Sequence, residues 1–98
     1  MMRFSCPVLG GDVELTDERA SHIAERHPDL LPAHLGELGE TIRNPDDVLP
    51  AHVGEKRLFV RWADTIRGGR CVVAVVVSDG TRHWIVTAYL TRRPPTGG

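Results

Sequence analysis

The sequence predicts a single α+β domain in which two N-terminal helices pack on a four-stranded antiparallel sheet, with an extra short strand at the N-terminus. Three observations lead to this fold class. Apolar residues recur at helical spacing in the first half of the chain, alternate at strand spacing in the second half, and are interrupted there by glycine-containing turns. The length of 98 residues suits one domain, which we assign to residues 1–92, with a flexible tail at 93–98.

The first half of the chain contains the predicted helices, preceded by a short strand. Residues 4–9 form the candidate strand, which a glycine pair ends, and residues 13–15 are a short extension of it. Thr16 is a suitable helix N-cap, and its helix should end near Arg26, because a proline two residues later disfavours helical geometry between them. Leucine and isoleucine at spacings of four, three and four residues predict a second helix over residues 31–43.

The second half of the chain contains the predicted sheet. Its strands are expected over residues 47–52, 57–64, 70–78 and 82–92. The first of them contains Pro50, which favours a position at the sheet edge. The strand at 70–78 is apolar on both sides and should be central. Turn signals at Gly68-Gly69 and Asp79-Gly80 connect the last three strands into an antiparallel meander.

The net charge of −1 conceals a segregation of charge along the chain. Residues 1–55 contain 4 arginines against 11 acids, whereas residues 56–98 contain 8 basic residues against 2 acids. Such asymmetry indicates a polyanion-binding surface. The alternative is that an acidic helical layer complements a basic sheet within one fold.

Several classes of protein are excluded by composition. No apolar run approaches the roughly 20 residues of a membrane helix, and the N-terminus lacks the apolar core of a signal peptide. The 2 cysteines form neither a disulfide framework nor a metal set, so we expect a cytoplasmic protein. His22 and His27 are badly spaced for metal binding, and we predict no metal and no cofactor.

Strand alternation divides the sheet residues into two sets, because successive side chains point to opposite faces. The set predicted to face the helices is Leu58, Val60, Trp62, Trp84, Val86, Ala88 and Leu90. The opposite set is Arg57, Phe59, Arg61, His83, Ile85, Thr87, Tyr89 and Thr91. Basic residues interleaved with aromatic and hydroxyl groups suit a phosphate backbone and stacked bases. The alternative is an ordinary solvated sheet face.

The first helix contributes candidate catalytic groups. His22 and Arg26 are four residues apart and therefore neighbours on a polar flank, while His27 lies at the helix end. A histidine is the usual general base near neutral pH. The alternative is a solvated flank, with His27 donating to a nearby carbonyl. His34 and His52 have no such neighbours and are interpreted as surface residues.

Four segments together resemble a known family. They are an HIxxRHP motif at 22–28, TIRNPDDV at 41–48, RLFVR at 57–61 and IVTAYL at 85–90. In this order they resemble the phage-type branch of the barnase–EndoU–colicin–RelE superfamily of small ribonucleases, over about residues 13–92. The resemblance implies two N-terminal helices on a four-stranded antiparallel sheet.

The resemblance also implies a function, that of a toxin-like, metal-independent endoribonuclease. Such an enzyme cleaves RNA by attack of a ribose 2′-OH on phosphorus and leaves a cyclic phosphate. The implied catalytic residues are His22, Arg26 or His27 on the helix, Arg61 on the sheet, and Thr87 or Tyr89 on the last strand. The substrate-binding candidates are Arg57, Phe59, His83 and Thr91. The expected partners are RNA and, as a second option, a cognate antitoxin or immunity protein.

A second class of function is a non-catalytic RNA- or protein-binding module on a degenerate nuclease fold. Passive RNA binding would fall steeply with salt and leave the RNA intact. A protein-binding module predicts an exposed edge at Trp62 or Trp84, whereas alternation assigns both to the core.

Overall fold

The computed structural model describes residues 1–51 and 55–95, which form a six-stranded mixed sheet and two helices. The strands are β1 Met2–Cys6, β2 Gly11–Leu15, β3 Asp47–Pro50, β4 Lys56–Ala63, β5 Arg70–Asp79 and β6 Arg82–Thr91. The helices are α1 Asp17–Arg26 and α2 Leu35–Arg43. The strand order is β1-β2-β6-β5-β4-β3, and all neighbours are antiparallel except β2 and β6, which are parallel.

The predicted fold class, two N-terminal helices on a four-stranded antiparallel sheet, is therefore wrong. The N-terminal residues form a complete hairpin, β1 with β2, before either helix begins. Residues 7–10 reverse the chain, with Gly10 at a positive φ of 72°, and Gly11 begins β2 opposite Cys6. The hairpin then joins the meander, because Val13 pairs with His83 and Glu14 with Trp84 in parallel register.

Helix α1 matches its prediction. The Thr16 hydroxyl accepts a hydrogen bond of 3.2 Å from the Arg19 N–H, and two acids occupy the first turn, where the helix dipole favours negative charge. The helix ends at Arg26, and the N–H of the C-cap residue His27 donates to the carbonyl of Ile23. Ile23 is fully buried and anchors the helix to the sheet.

Helix α2 begins at Leu35, four residues later than predicted. The start of the predicted helix is wrong, because Leu31 and its neighbour Leu30 are buried within a series of turns. The spacing of the leucines reflects burial at this end and not helical geometry. Gly39 has a packing role: a Cβ there would lie 3.0 Å from the Phe4 ring. The missing side chain thus lets α2 approach β1 closely.

The meander of β4, β5 and β6 is confirmed, with β5 in the interior and β3 at the edge beside β4. Glycines at 68 and 80 adopt positive φ in the connecting turns, as the turn signals predicted. The predicted strand at 47–52 ends at Pro50, and its last residue, His52, lies outside the described residues. The predicted tail at 93–98 is described only as far as residue 95. No helix in the described part of the chain is long and apolar enough to cross a membrane.

The main core lies between the helices and one face of the sheet. The sheet contributes Phe4, Val13, Phe59, Val72, Ala74, Val76, Ile85 and Ala88 to it. A smaller cluster of Val60, Cys71 and Val73 lies on the other face, with Leu49, Leu58 and Tyr89 packed against it. We call this second side of the sheet the open face.

The predicted faces are wrong for β4 and for the start of β6. Phe59 faces the helices, whereas Leu58 and Val60 lie on the open face. In β6 the register shifts between Val75 and Val76, so the pairing skips Val86. Residues 83, 85, 87 and 89 were predicted to share one face, because they alternate along the strand. The bulge changes the alternation, so residues 83 and 85 lie on the helix side although Thr87 and Tyr89 do not.

Candidate functional site

The open face has an apolar floor bordered by hydroxyl groups on β6. Across the sheet, Val60 is opposite Val73, which is opposite Tyr89, and Val75 is opposite Thr87 in the neighbouring row. Val60 and Val73 are buried, whereas Thr87 and Tyr89 are half-buried. Thr87 and Tyr89, which carry hydroxyl groups of β6, therefore lie beside a buried apolar patch.

His27 and Tyr89 meet at this border. Their ring centroids are 6.1 Å apart, with an angle of 41° between the ring planes. The helix α1 contacts β6, and β2 pairs with β6 only at His83 and Trp84, so no strand of the described residues pairs with this side of β6 beside Tyr89. The structure thus brings together two residues that the sequence assigned to catalysis, and Thr87 lies two residues before Tyr89 on the same face.

The polar side chains of this region form no hydrogen bonds within the described part of the protein. Within residues 1–51 and 55–95 the structure records no side-chain hydrogen bond for His22, Arg26, His27, Thr87 or Tyr89. His22 and Arg26 are exposed on α1, one turn apart. These side chains are available to a ligand.

Arg61 and Phe59 were predicted to lie on the face opposite the helices, but neither lies on the open face. Phe59 is fully buried in the main core and offers no surface to a base. Arg61 donates a hydrogen bond of 2.6 Å to the Asn44 carbonyl and lies 3.8 Å from Asp46 Oδ1. Strand alternation separated the two sets of residues correctly within β4, but it could not show which set faces the helices.

Arg57 and His83 are joined through Ser78, which the sequence interpretation missed. Arg57 Nη1 donates to Ser78 Oγ at 3.3 Å, and Ser78 Oγ lies 2.7 Å from His83 Nδ1. Ser78 Oγ therefore accepts from Arg57 and forms a second hydrogen bond with His83 Nδ1. Both Ser78 and His83 are about nine-tenths buried, at 8% exposure each. The pairing of Ser78 with His83 across the hairpin follows from the turn at Asp79-Gly80.

Thr91, another predicted substrate-binding residue, is engaged locally. Its hydroxyl donates to the Arg93 carbonyl at 3.0 Å and accepts from the Arg93 N–H at 3.4 Å. The Thr91 side chain is therefore occupied by local hydrogen bonds at the end of β6.

Trp62 is 44% exposed, and its predicted position in the core is wrong. Its indole N–H donates to Asp64 Oδ1 at 2.5 Å. Trp84 is half-buried beneath the Arg82 guanidinium, which lies 5.4 Å from the ring centroid and 3.3 Å from Glu14. An exposed Trp62 is the feature that the sequence associated with a protein-binding module.

Cys6 and Cys71 are buried free thiols. Burial raises the pKa of both thiols, which keeps them protonated and unreactive at neutral pH. Among the described residues no group of three or more His, Cys, Asp or Glu side chains could hold a metal ion.

Comparison of the chain with protein-family models, with curated proteins and with solved structures finds no significant match in any of the three. The resemblance to the ribonuclease superfamily accordingly stays a prediction.

Proposed function

We propose that the protein is a metal-independent endoribonuclease whose acid–base pair is His27 and Tyr89. The observation that carries this proposal is the contact between the two rings at the border of the open face. A base and an acid on neighbouring rings can serve the two oxygens of one phosphodiester. Both side chains are partly exposed and have no competing side-chain partner among the described residues.

In the proposed reaction His27 accepts the proton of a ribose 2′-OH, which attacks the adjacent phosphorus. The Tyr89 hydroxyl donates a proton to the leaving 5′ oxygen, and the products are a 2′,3′-cyclic phosphate and a free 5′-OH. Arg26 precedes His27 in the chain, is exposed, and is the guanidinium best suited to the charge that develops on phosphorus. Thr87 supplies a hydroxyl to the same phosphate, whereas the internal hydrogen bond of Arg61 argues against a direct role for that residue.

The proposal extends to the biological setting. The substrate is RNA, and the setting is that of a toxin-like protein in the cytoplasm with a cognate antitoxin or immunity protein. The buried free thiols support a reducing compartment, because neither thiol is paired.

The test is cleavage of a structured RNA by the purified full chain in the presence of a chelator, with detection of cyclic-phosphate ends. Positioned acids and bases contribute about 10²–10⁴-fold each, so His27→Ala and Tyr89→Phe should each lower the rate by at least about 10²-fold. His34→Ala, which changes a histidine on another element, is the matched control. Full cleavage by both site variants, with their fold intact, would remove His27 and Tyr89 from the mechanism.

A second candidate function is a non-catalytic binding module on the same fold. The observation that favours it is that Arg57, Phe59 and Arg61 are used within the fold, so the open face is apolar rather than basic. The same assay separates the two functions. A folded wild-type chain that leaves the RNA intact at every salt concentration favours the module.

A further inference from the structure

Trp62 is an exposed aromatic side chain that the fold holds in one position. Its indole N–H is bound by Asp64, and its backbone N–H donates to Asp46 Oδ2 at 2.7 Å. The benzo ring of the indole lies against Gly69, where any Cβ would collide with it and where φ is +119°. An exposed side chain that is already ordered loses little entropy when a partner binds, and tryptophan is among the residues most enriched at binding hot spots.

A pocket of about 280 Å³ lies between α2 and the end of β4, and Trp62 is one of the residues that line it. Its charged lining residues are Glu37, Glu40, Asp64 and Arg61. Arg61 lies 3.8 Å from Asp46 and donates to the Asn44 carbonyl, and Glu40 is paired with Arg43 at 3.2 Å, so Glu37 and Asp64 are the lining carboxylates without an arginine partner among the described residues. Hydrogen bonds from Asn44 and then Arg43 lower the pKa of Glu40, so this carboxylate is ionised at neutral pH. The lining therefore contains more acidic than basic residues, together with the aromatic residue Trp62.

We propose that Trp62 and this pocket form a docking site for an arginine or lysine side chain of a protein partner. A guanidinium or ammonium group is attracted to the face of an indole and binds carboxylates by charge-assisted hydrogen bonds. The pocket combines both kinds of group within reach of one side chain. Carboxylates repel phosphate, which argues against RNA as the occupant of this surface. The site lies two strands from Tyr89 across the sheet and does not depend on the proposed nuclease activity.

The test uses the ¹⁵N-labelled full chain and two capped tripeptides, Gly-Arg-Gly and its citrulline counterpart, in which the guanidinium is replaced by a neutral urea group. Titration with the arginine peptide should shift the Trp62 indole N–H resonance and the backbone resonances of residues 37–41 and 61–65. The citrulline peptide should bind roughly three- to tenfold more weakly, since it lacks the charge that the indole and the carboxylates attract. The double variant Glu37→Gln, Asp64→Asn should bind the arginine peptide as weakly as the wild type binds the citrulline peptide.

The Asp64→Asn change retains an oxygen that can accept from the Trp62 indole, so it removes charge without releasing the ring. Glu18→Gln, an exposed position on α1, is the matched control and should bind as the wild type does. Equal binding of the two peptides, shifts scattered over the surface, or no shift at millimolar peptide would overturn the proposal. It would also be overturned if these resonances responded to an RNA oligonucleotide, or to protein concentration alone, because the occupant would then be a nucleic acid or a second copy.

Discussion

Arg61 and Arg57 both donate hydrogen bonds inside the fold, whereas Arg26 and His27 make no side-chain hydrogen bond within the described residues. Residue type alone does not show which arginine donates a hydrogen bond within the fold and which makes none. A guanidinium that satisfies a backbone carbonyl at 2.6 Å, as Arg61 does, stabilises the loop after α2 and is costly to redirect. The side chains left for chemistry are therefore those at the end of α1 and on the border of β6.

Glu40 illustrates how a surface residue contributes to stability through its ionisation. Its pKa lies below the ordinary value of 4.5 because Asn44 and Arg43 donate hydrogen bonds to the carboxylate. A depressed pKa in the folded state stabilises the protein above the ordinary value, and this contribution is lost as the pH falls through the pKa of the folded state.

We accordingly expect the free energy of unfolding of the wild type to fall more steeply than that of Glu40→Gln between about pH 5 and about pH 3. Urea denaturation at a series of pH values measures both slopes. Parallel curves for the wild type and Glu40→Gln would show that Glu40 does not contribute.

At the scale of the element, α2 contains two glycines with different roles. Nothing lies within 4 Å of a Cβ built at Gly36, whereas a Cβ at Gly39 meets the Phe4 ring at 3.0 Å. Gly36→Ala should therefore raise the free energy of unfolding by about 0.5–1 kcal/mol, since alanine is the better helix former. Gly39→Ala should lower it by about 1 kcal/mol or more, because the Phe4 ring must move. Thermal or urea unfolding of the two variants checks the opposite signs, and an equal gain in both would contradict the packing role of Gly39.

Local signals predicted individual elements better than they predicted the sheet. Thr16 and the proline after His27 were sufficient for α1, and two glycine turns were sufficient for the meander. The parallel pairing of Val13 with His83 joins residues 70 positions apart in the chain, and no local pattern encodes it. The sequence also did not show which side of β4 faces the helices, because Leu58 and Phe59 are both apolar and either could face them. Of the candidate site residues, His27 and Tyr89 lie together, whereas Arg57, Phe59 and Arg61 lie on the helix side of the sheet.

At the scale of the whole molecule, the two oppositely charged segments are interleaved by the sheet order. Arg82 of β6 pairs with Glu14 of β2 at 3.3 Å, and Arg61 of β4 lies 3.8 Å from Asp46. Each pair joins a basic residue of the second half to an acid of the first half. At these two pairs the charges of the two halves offset each other in space, and the acids concerned lie on a strand and in the segment before β3 rather than on a helix. Long-range attraction to RNA should be weak, and binding should depend on the local site.

The N-terminal hairpin belongs to the same core as the rest of the molecule. Phe4 is 9% exposed and packs in the main core together with Phe59, and it also touches Gly39 of α2. A four-stranded domain with an accessory strand would tolerate loss of this ring, whereas a six-stranded sheet with one core would not. Phe4→Ala should therefore lower the free energy of unfolding by about 3–5 kcal/mol in a single cooperative transition. Urea unfolding followed by tryptophan fluorescence and by far-ultraviolet circular dichroism tests this, because coincident curves at reduced stability indicate one core. A near wild-type midpoint, or a separate early transition of the hairpin, would show instead that β1 is accessory to the domain.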